Sequence, residues 1–182
     1  MNNNWIKLSE KKAYENPWIS VSEHQVINPS GNNGIYGVVH FKNLAIGIVP
    51  IDQEGYIYMV GQFRYVLGKY SLEIPEGGGP IDDDPLESAK RELKEETGLE
   101  AANWEKLLEM ETSNSVTDER AIVYLATGLV QGDASPEETE ELIVSKIHLN
   151  EAYQMVLDGE ITDSISVAAI LKMKIKSLEN EK

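Results

Sequence analysis

Residues Gly77 to Leu99 read GGGPIDDDPLESAKRELKEETGL and are the most informative segment of the chain. Within it, Asp84 can accept a hydrogen bond as the N-cap of a helix, and Pro85 suits the first helical position. Gly98 supplies the C-terminal stop, because glycine readily adopts the left-handed conformation that commonly ends a helix. The sequence therefore predicts a helix between Asp84 and Gly98 that is preceded by a glycine-rich loop.

Three carboxylates lie on one face of this predicted helix. Glu92, Glu95 and Glu96 are spaced at i, i+3 and i+4, next to an apolar stripe that would face the core. Because like charges repel, such a cluster favours a bound cation, and hard oxygen ligands suit Mg²⁺ or Mn²⁺. A solvated acidic helix face is the alternative. Arg91 stands four residues before Glu95 and can hold that carboxylate in place.

The same segment resembles the Nudix box. That pattern is Gly, five residues, Glu, seven residues, then Arg-Glu-apolar-any-Glu-Glu-any-Gly-apolar. The positions that match in register are Gly77, Arg91, Glu92, Leu93, Glu95, Glu96, Gly98 and Leu99. One position departs from the pattern, since Asp83 stands where the box has its first Glu. On these residues the chain is identified as a member of the Nudix hydrolase family.

This resemblance implies a metal-dependent hydrolase that cleaves a diphosphate bridge. Glu92, Glu95 and Glu96 would bind Mg²⁺ or Mn²⁺, with the backbone carbonyl of Glu76 as a further ligand. Arg91 would take part in catalysis by orienting a carboxylate. The general base would come from the acidic loop 137–141, and the expected candidates are Glu140 first and Glu138 second.

Sequence outside the box is similar to the ADP-ribose and nucleotide-sugar branch of the family, in the stretches Val60–Tyr65, Leu72–Pro75 and Ser113–Glu119. By this resemblance Arg64 would contact a substrate phosphate, a role that suits its forked guanidinium. Gln62 and Glu73 would contact the ribose or the second sugar. Glu119 would reach the metal site or orient Arg64, with a structural hydrogen bond as the alternative.

Base recognition in this branch often uses aromatic side chains of an N-terminal sheet. Trp18 and Tyr36 are the candidates here, and core packing is the alternative for both. The branch specific for ADP-ribose usually has a proline-containing sequence after the box, whereas this chain reads Thr112-Ser113-Asn114-Ser115. ADP-ribose, GDP-mannose and other nucleotide sugars therefore all stay open as substrates.

Composition limits the function further. With 16 Lys and Arg against 31 Asp and Glu, the formal net charge is −15, so the protein would repel nucleic acids. The sequence contains no cysteine, which excludes thiolate catalysis and fits a reducing cytoplasm. Neither a signal peptide nor a membrane-spanning segment is predicted.

The chain is expected to form two parts. Residues 1–42 alternate as strands and predict a small antiparallel sheet, which is marginal alone and would mediate a homodimer and contact the substrate base. Residues 43–182 would form the catalytic domain, an α/β/α sandwich around a mixed sheet. Within it, Leu44–Ile51 and Tyr56–Phe63 predict a buried hairpin, and residues 150–157 and 164–178 predict helices. His24, His40 and His148 have no metal-ligand spacing and are interpreted as ordinary strand or edge residues.

Two rival functions remain at this point. One is a Nudix module that senses a nucleotide sugar without hydrolysing it, for which Asp83 is the feature in favour. The other is a pyrophosphohydrolase of nucleoside triphosphates or dinucleoside polyphosphates. The box carboxylates disfavour the first rival, and the Arg64 region disfavours the second.

Overall fold

The computed structural model describes residues 4–132 and 142–180 of the chain. The elements within these residues comprise ten strands and three helices. In chain order they are β1 (Ile6–Glu15), β2 (Ile19–Ile27), β3 (Asn33–Phe41), β4 (Asn43–Pro50), β5 (Tyr56–Arg64), β6 (Lys69–Glu73), β7 (Glu76–Pro80), α1 (Pro85–Thr97), β8 (Leu99–Glu111), β9 (Arg120–Gln131), β10 (Ile143–His148), α2 (Leu149–Leu157) and α3 (Ser164–Asn180).

Strands β1, β2 and β3 form an antiparallel sheet of their own, as predicted. All ten residues of β1 are exposed. β3 is tied to the segment that follows β8, because the Val39 N–H donates to the Val116 carbonyl and the Val39 carbonyl accepts from the Asp118 N–H. The N-terminal sheet is thereby held beside a segment that also lines the candidate site.

The central sheet has the strand order β7-β4-β9-β8. Strands β4 and β9 run parallel, whereas the other neighbouring pairs are antiparallel. A second sheet, in the order β10-β5-β6, is antiparallel throughout. The predicted mixed sheet is therefore confirmed.

Strand β4 is covered by helices on both faces. Leu44, Ile46 and Ile48 belong to the core formed with α1. Val49 belongs to the opposite core, to which Ile165 of α3 contributes. Because successive side chains of a strand point to opposite faces, burial on both sides explains the nearly continuous apolar run in the sequence. The predicted α/β/α sandwich is confirmed.

The hairpin predicted from β4 and β5 is not formed. β4 pairs with β7 and β9, while β5 pairs with β6 and β10. In the described residues the two strands share a single bridge, between Ile51 and Ile57. The Asp52–Gly55 turn reverses the chain as expected, but the strands separate because each finds its partners far away in sequence.

The helices predicted for residues 150–157 and 164–178 are present as α2 and α3. None of the helices in the described ranges has both the length and the apolar character needed to cross a bilayer.

Candidate active site

Helix α1 is capped as its sequence predicts. The Asp84 side chain accepts a hydrogen bond from the Leu86 N–H at 3.0 Å, and Pro85 occupies the first turn. Gly98 ends the helix with φ of 72°. These caps set the helix register that buries Glu92 and Glu96, which are 9% and 2% exposed.

Arg91 orients two of the box carboxylates. Its guanidinium donates to Glu95 at 2.6 Å and to Glu92 at 2.6 Å, which confirms the predicted pairing with Glu95. It also donates to the Gly78 carbonyl at 2.9 Å, so that helix α1 is joined to β7. Asp83, the departure from the box pattern, is exposed in the turn before the helix, where its N–H donates to the Pro80 carbonyl.

The glycine-rich segment is a strand, not the predicted loop. β7 pairs antiparallel with β4, and Gly77 lies opposite Ile46. A Cβ atom on Gly77 would stand 2.1 Å from the carboxyl carbon of Glu92, which no real side chain tolerates. Glycine therefore lets the backbone of β7 pass directly against the helical carboxylate, which a side chain at position 77 would displace.

Glu76 precedes this contact and connects two parts of the site. Its N–H donates to the Glu96 carboxylate at 3.0 Å, and its own Oε1 accepts from Arg64 at 2.6 Å. Its Oε2 is buried without a hydrogen-bond partner in the described residues. Burial, reinforced by the charges of Asp163 and Glu73, raises the pKa of Glu76 well above its usual value.

Arg64 is held by two acidic side chains. Its Nε donates to both carboxylate oxygens of Glu73 at 3.0 Å, and one terminal nitrogen bridges Glu73 and Glu76. Burial disfavours the charge on Arg64, but the hydrogen bonds and charge of Glu73 outweigh it and raise the pKa of Arg64. Glu73 is only 2% exposed, so its buried carboxylate holds the Arg64 guanidinium from the side that faces away from solvent.

Arg64 stands between two adjoining clefts of about 500 Å³ and about 630 Å³. Arg64, Glu76 and Asp163 line both of them. Trp18, in the connection between β1 and β2, lines the first cleft together with Glu119, and Gln62 lines the second. These volumes fall within the usual range for small-molecule sites.

The family follows from comparison with known proteins. A family model described as the NUDIX domain matches residues 41–164. The chain belongs to the Nudix hydrolase family. A second model, the nucleoside diphosphate sugar hydrolase N-terminal domain, matches residues 5–39.

Two curated Nudix relatives are similar over most of their length. One is an ADP-ribose pyrophosphatase of Mycobacterium tuberculosis, 34% identical over 90% of this chain and 80% of the relative. The other is an ADP-ribose pyrophosphatase of Bacillus subtilis, 33% identical over 93% of this chain and 92% of the relative. A solved structure titled as an ADP compounds hydrolase has a TM-score of 0.87 at 19% identity, over 98% of this chain and 96% of that one, which supports the Nudix fold.

The donor set at the Nudix box fits a divalent cation. Glu92, Glu95 and Glu96 offer hard oxygen atoms. Arg91 neutralises only one of their three negative charges, so the cluster keeps a net negative charge that a cation can balance. Arg91 donates to both Glu92 and Glu95 and so holds these two carboxylates beside each other. The two general-base candidates of the predicted Nudix site, Glu138 and Glu140, lie outside the described residues.

Two aromatic candidates differ in their surroundings. Trp18 is 66% exposed, so the core-packing alternative is wrong for it. Tyr36 does not line either cleft; its hydroxyl donates to the Ser115 carbonyl at 2.7 Å and its ring lies edge-on to Trp5. Trp18 thus lines the first cleft, whereas Tyr36 lines neither cleft.

Glu119 and Asp163 complete the cleft wall. The Glu119 carboxylate accepts from the Thr112 hydroxyl at 2.5 Å, which is the structural hydrogen bond considered as its alternative role. Asp163 was missed in the sequence. Its carboxylate accepts from the Ser166 N–H at the start of α3 and offers an oxygen within 4.8 Å of those of Glu73 and Glu76. In the sequence, Asp163 stands directly before a helical pattern, which predicts a helix cap but gives no indication of a substrate or metal site.

Proposed function

We propose that the protein hydrolyses the diphosphate linkage of nucleoside diphosphate sugars in a divalent-metal-dependent reaction, releasing a nucleoside monophosphate and a sugar phosphate. The position of Arg64 is the observation that carries this proposal. Its guanidinium lies between two clefts, beside the strand that contacts the box carboxylates. A diphosphate at this point would leave one cleft for each half of the substrate.

The box carboxylates and Arg64 have different roles in the proposed reaction. Glu92, Glu95 and Glu96, together with the Glu76 carbonyl, would hold a divalent ion such as Mg²⁺ or Mn²⁺. Bound there, the ion would supply neutralisation of phosphate charge and a lowered pKa for water. Arg64 would contact a phosphate through its other terminal nitrogen, Nη1, while Glu73 and Glu76 hold Nε and Nη2 and so fix the orientation of the guanidinium.

Proton removal from the attacking water needs a base close to the metal. We assign this role to Glu140, with Glu138 as the second candidate, because the resemblance to the nucleotide-sugar branch of the family implies a base from the acidic segment 137–141. Each is replaced by Gln and the single-turnover rate is measured. A slow Glu138→Gln variant beside an unaffected Glu140→Gln variant would move the role to Glu138.

ADP-ribose is the first substrate to test, since two similar proteins are named ADP-ribose pyrophosphatases. GDP-mannose and other nucleotide sugars come next. We place the base against Trp18, whose exposed ring adjoins the first cleft, and the second sugar near Gln62. Aromatic stacking accepts different bases, so this arrangement does not by itself require adenine.

The N-terminal sheet is proposed to form a homodimer interface. On β1, the apolar side chains of Ile6, Leu8 and Tyr14 are each more than half exposed. β1 is also an edge strand, and exposed apolar side chains on an edge strand favour pairing with a second chain. Sedimentation analysis at micromolar concentration tests the proposal, and a monomer there would contradict it.

The deciding experiment measures phosphate release, after phosphatase coupling, from ADP-ribose, GDP-mannose, UDP-glucose, diadenosine polyphosphates and nucleoside triphosphates. Each is assayed with Mg²⁺ and with EDTA. Metal-dependent cleavage confined to the nucleotide sugars is expected. Turnover confined to triphosphates or dinucleotides would replace the proposed substrate class. Binding of a nucleotide sugar without turnover would favour a sensor, and Asp83→Glu would then test whether the missing box glutamate is the cause.

A further inference from the structure

A second group of potential metal ligands lies outside the two clefts, on the N-terminal sheet. Glu10 of β1, His24 of β2 and His40 of β3 each place one ligand atom within 4.8 Å of the others. The histidines were interpreted from sequence as ordinary strand residues, because 16 positions separate them. The antiparallel pairing of three strands is what brings them together.

The strand register accounts for this grouping. Glu10 lies directly opposite His24. His40 lies opposite Ser20, two residues from Ser22, so all of these side chains share one face of the sheet. The Ser22 hydroxyl sits between the histidines, at 3.1 Å from the Nε2 atom of each, and Ser22 itself is only 3% exposed.

Asp118 orients one of the two imidazoles. Its Oδ2 lies 2.7 Å from Nδ1 of His40, and its Oδ1 accepts from the Phe41 N–H at 2.9 Å. An ionised carboxylate can only accept, so Nδ1 carries the proton and Nε2 of His40 presents its lone pair to the cluster. A histidine backed by a carboxylate in this way is the usual arrangement of a protein metal ligand.

We propose that Glu10, His24 and His40 form a binding site for Zn²⁺ or a similar divalent transition-metal ion. This site is separate from the proposed cation site at the Nudix box. Two imidazoles with one carboxylate suit such an ion, whereas Mg²⁺ prefers oxygen ligands alone. Tetrahedral zinc keeps its ligand atoms about 3.3 Å apart. The 3.7 Å between Glu10 Oε2 and His24 Nε2 is close to that spacing.

Binding requires the Nε2 atoms of His24 and His40 to exchange their hydrogen bonds with the Ser22 hydroxyl for bonds to the ion. Glu10 must release its ion pair with Lys7, and both side chains of that pair are about half exposed, so the loss is small. His40 is 38% exposed and can adjust its ring. The Ser22 hydroxyl or water would supply the fourth ligand.

The site would hold the N-terminal sheet together. β1 has no buried residue, so it gains little from apolar burial, and a metal would bind it to β2 and β3. The Asp118 contact extends this link to Glu119, the next residue, which lines the first cleft. Since an ion that binds only the folded state stabilises it by mass action, Zn²⁺ should raise the melting temperature.

The test is calorimetric titration of Zn²⁺ into the full-length protein, stripped with EDTA and then saturated with Mg²⁺ to occupy the box. We expect one Zn²⁺ per chain, with affinity at least about tenfold weaker in His24→Gln and in His40→Gln. His148→Gln is the matched control, because His148 caps α2 away from the cluster, and it should bind as wild type does. Absence of Zn²⁺ binding, or equal binding by His24→Gln and wild type, would overturn the proposal.

A measurement on wild type covers the case in which a variant fails to fold. The chain has three histidines, so their imidazole NMR signals can be assigned individually. Zn²⁺ should shift or broaden the signals of His24 and His40 and leave that of His148 unchanged. A response limited to His148, or no response, would contradict the proposed site.

Discussion

The backbone N–H of Glu76 donates a hydrogen bond to the carboxylate of Glu96 across 3.0 Å. Through its side chain, the same Glu76 accepts from Arg64. One residue thus links the helix that is expected to hold the metal to the arginine that is expected to hold a phosphate. Changes on either side of Glu76 should therefore affect catalysis in distinguishable ways.

Glu96→Gln tests the metal ligand. The amide keeps an oxygen that can accept from Glu76 but removes the charge. We expect kcat with Mg²⁺ to fall by at least about 100-fold, because a lost ligand charge removes several kcal/mol of transition-state stabilisation. The control is Glu87→Gln, an exposed position on the same helix, which should retain its rate. Near wild-type turnover of Glu96→Gln would show that the assignment is wrong.

Gly77→Ala tests the close approach of β7 to α1. The new methyl group would overlap the Glu92 carboxylate and push it or the strand aside. We expect a loss of about 1–3 kcal/mol in the free energy of unfolding, as for an overpacked core position, together with reduced kcat. Gly37→Ala is the matched control, since a Cβ there meets nothing within 4 Å. Equal stability of the two variants in urea denaturation would contradict the explanation.

Arg64→Lys tests whether one side chain must hold Glu73 and a substrate phosphate together. Lysine keeps the positive charge that buried Glu73 needs, so the fold should persist, but it cannot bind two oxygens in one plane. We expect kcat/KM for a nucleotide sugar to fall by roughly 10- to 100-fold, the value of one charged hydrogen bond. Arg120→Lys, at an exposed ion pair with Glu109, should leave kcat/KM unchanged. An unchanged kcat/KM in Arg64→Lys would remove Arg64 from the substrate site.

Glu76→Gln tests the buried carboxyl through the pH dependence of stability. Burial and the nearby acidic groups raise the pKa of Glu76 above its ordinary 4.5. The folded state therefore keeps this proton to a higher pH than the unfolded state, so stability falls as pH rises between the two pKa values. Glutamine does not ionise, so the Glu76→Gln variant should not lose this part of its stability as the pH rises. In EDTA, the melting temperature of the variant relative to wild type should be more favourable at about pH 8 than at about pH 5. Calorimetry that finds no trend, or the opposite trend, would contradict this account.

The helix was predicted correctly because its signals are local. Asp84, Pro85 and Gly98 act within one turn of the helix ends. The pairing of Arg91 with Glu95 likewise follows from helical spacing. Prediction failed for β7, because glycine and proline are depleted in strands, and this segment becomes one through pairing with β4.

Helix α1 and the spacing of its three carboxylates follow from local sequence, because caps and side-chain periodicity act over a few residues. The tertiary structure is needed to show that Glu76 joins Glu96 to Arg64, that Asp163 reaches the same cleft, and that Glu10, His24 and His40 share one face. These contacts connect residues on different strands and helices. Their proximity depends on how the sheets pair and pack, which no local pattern encodes.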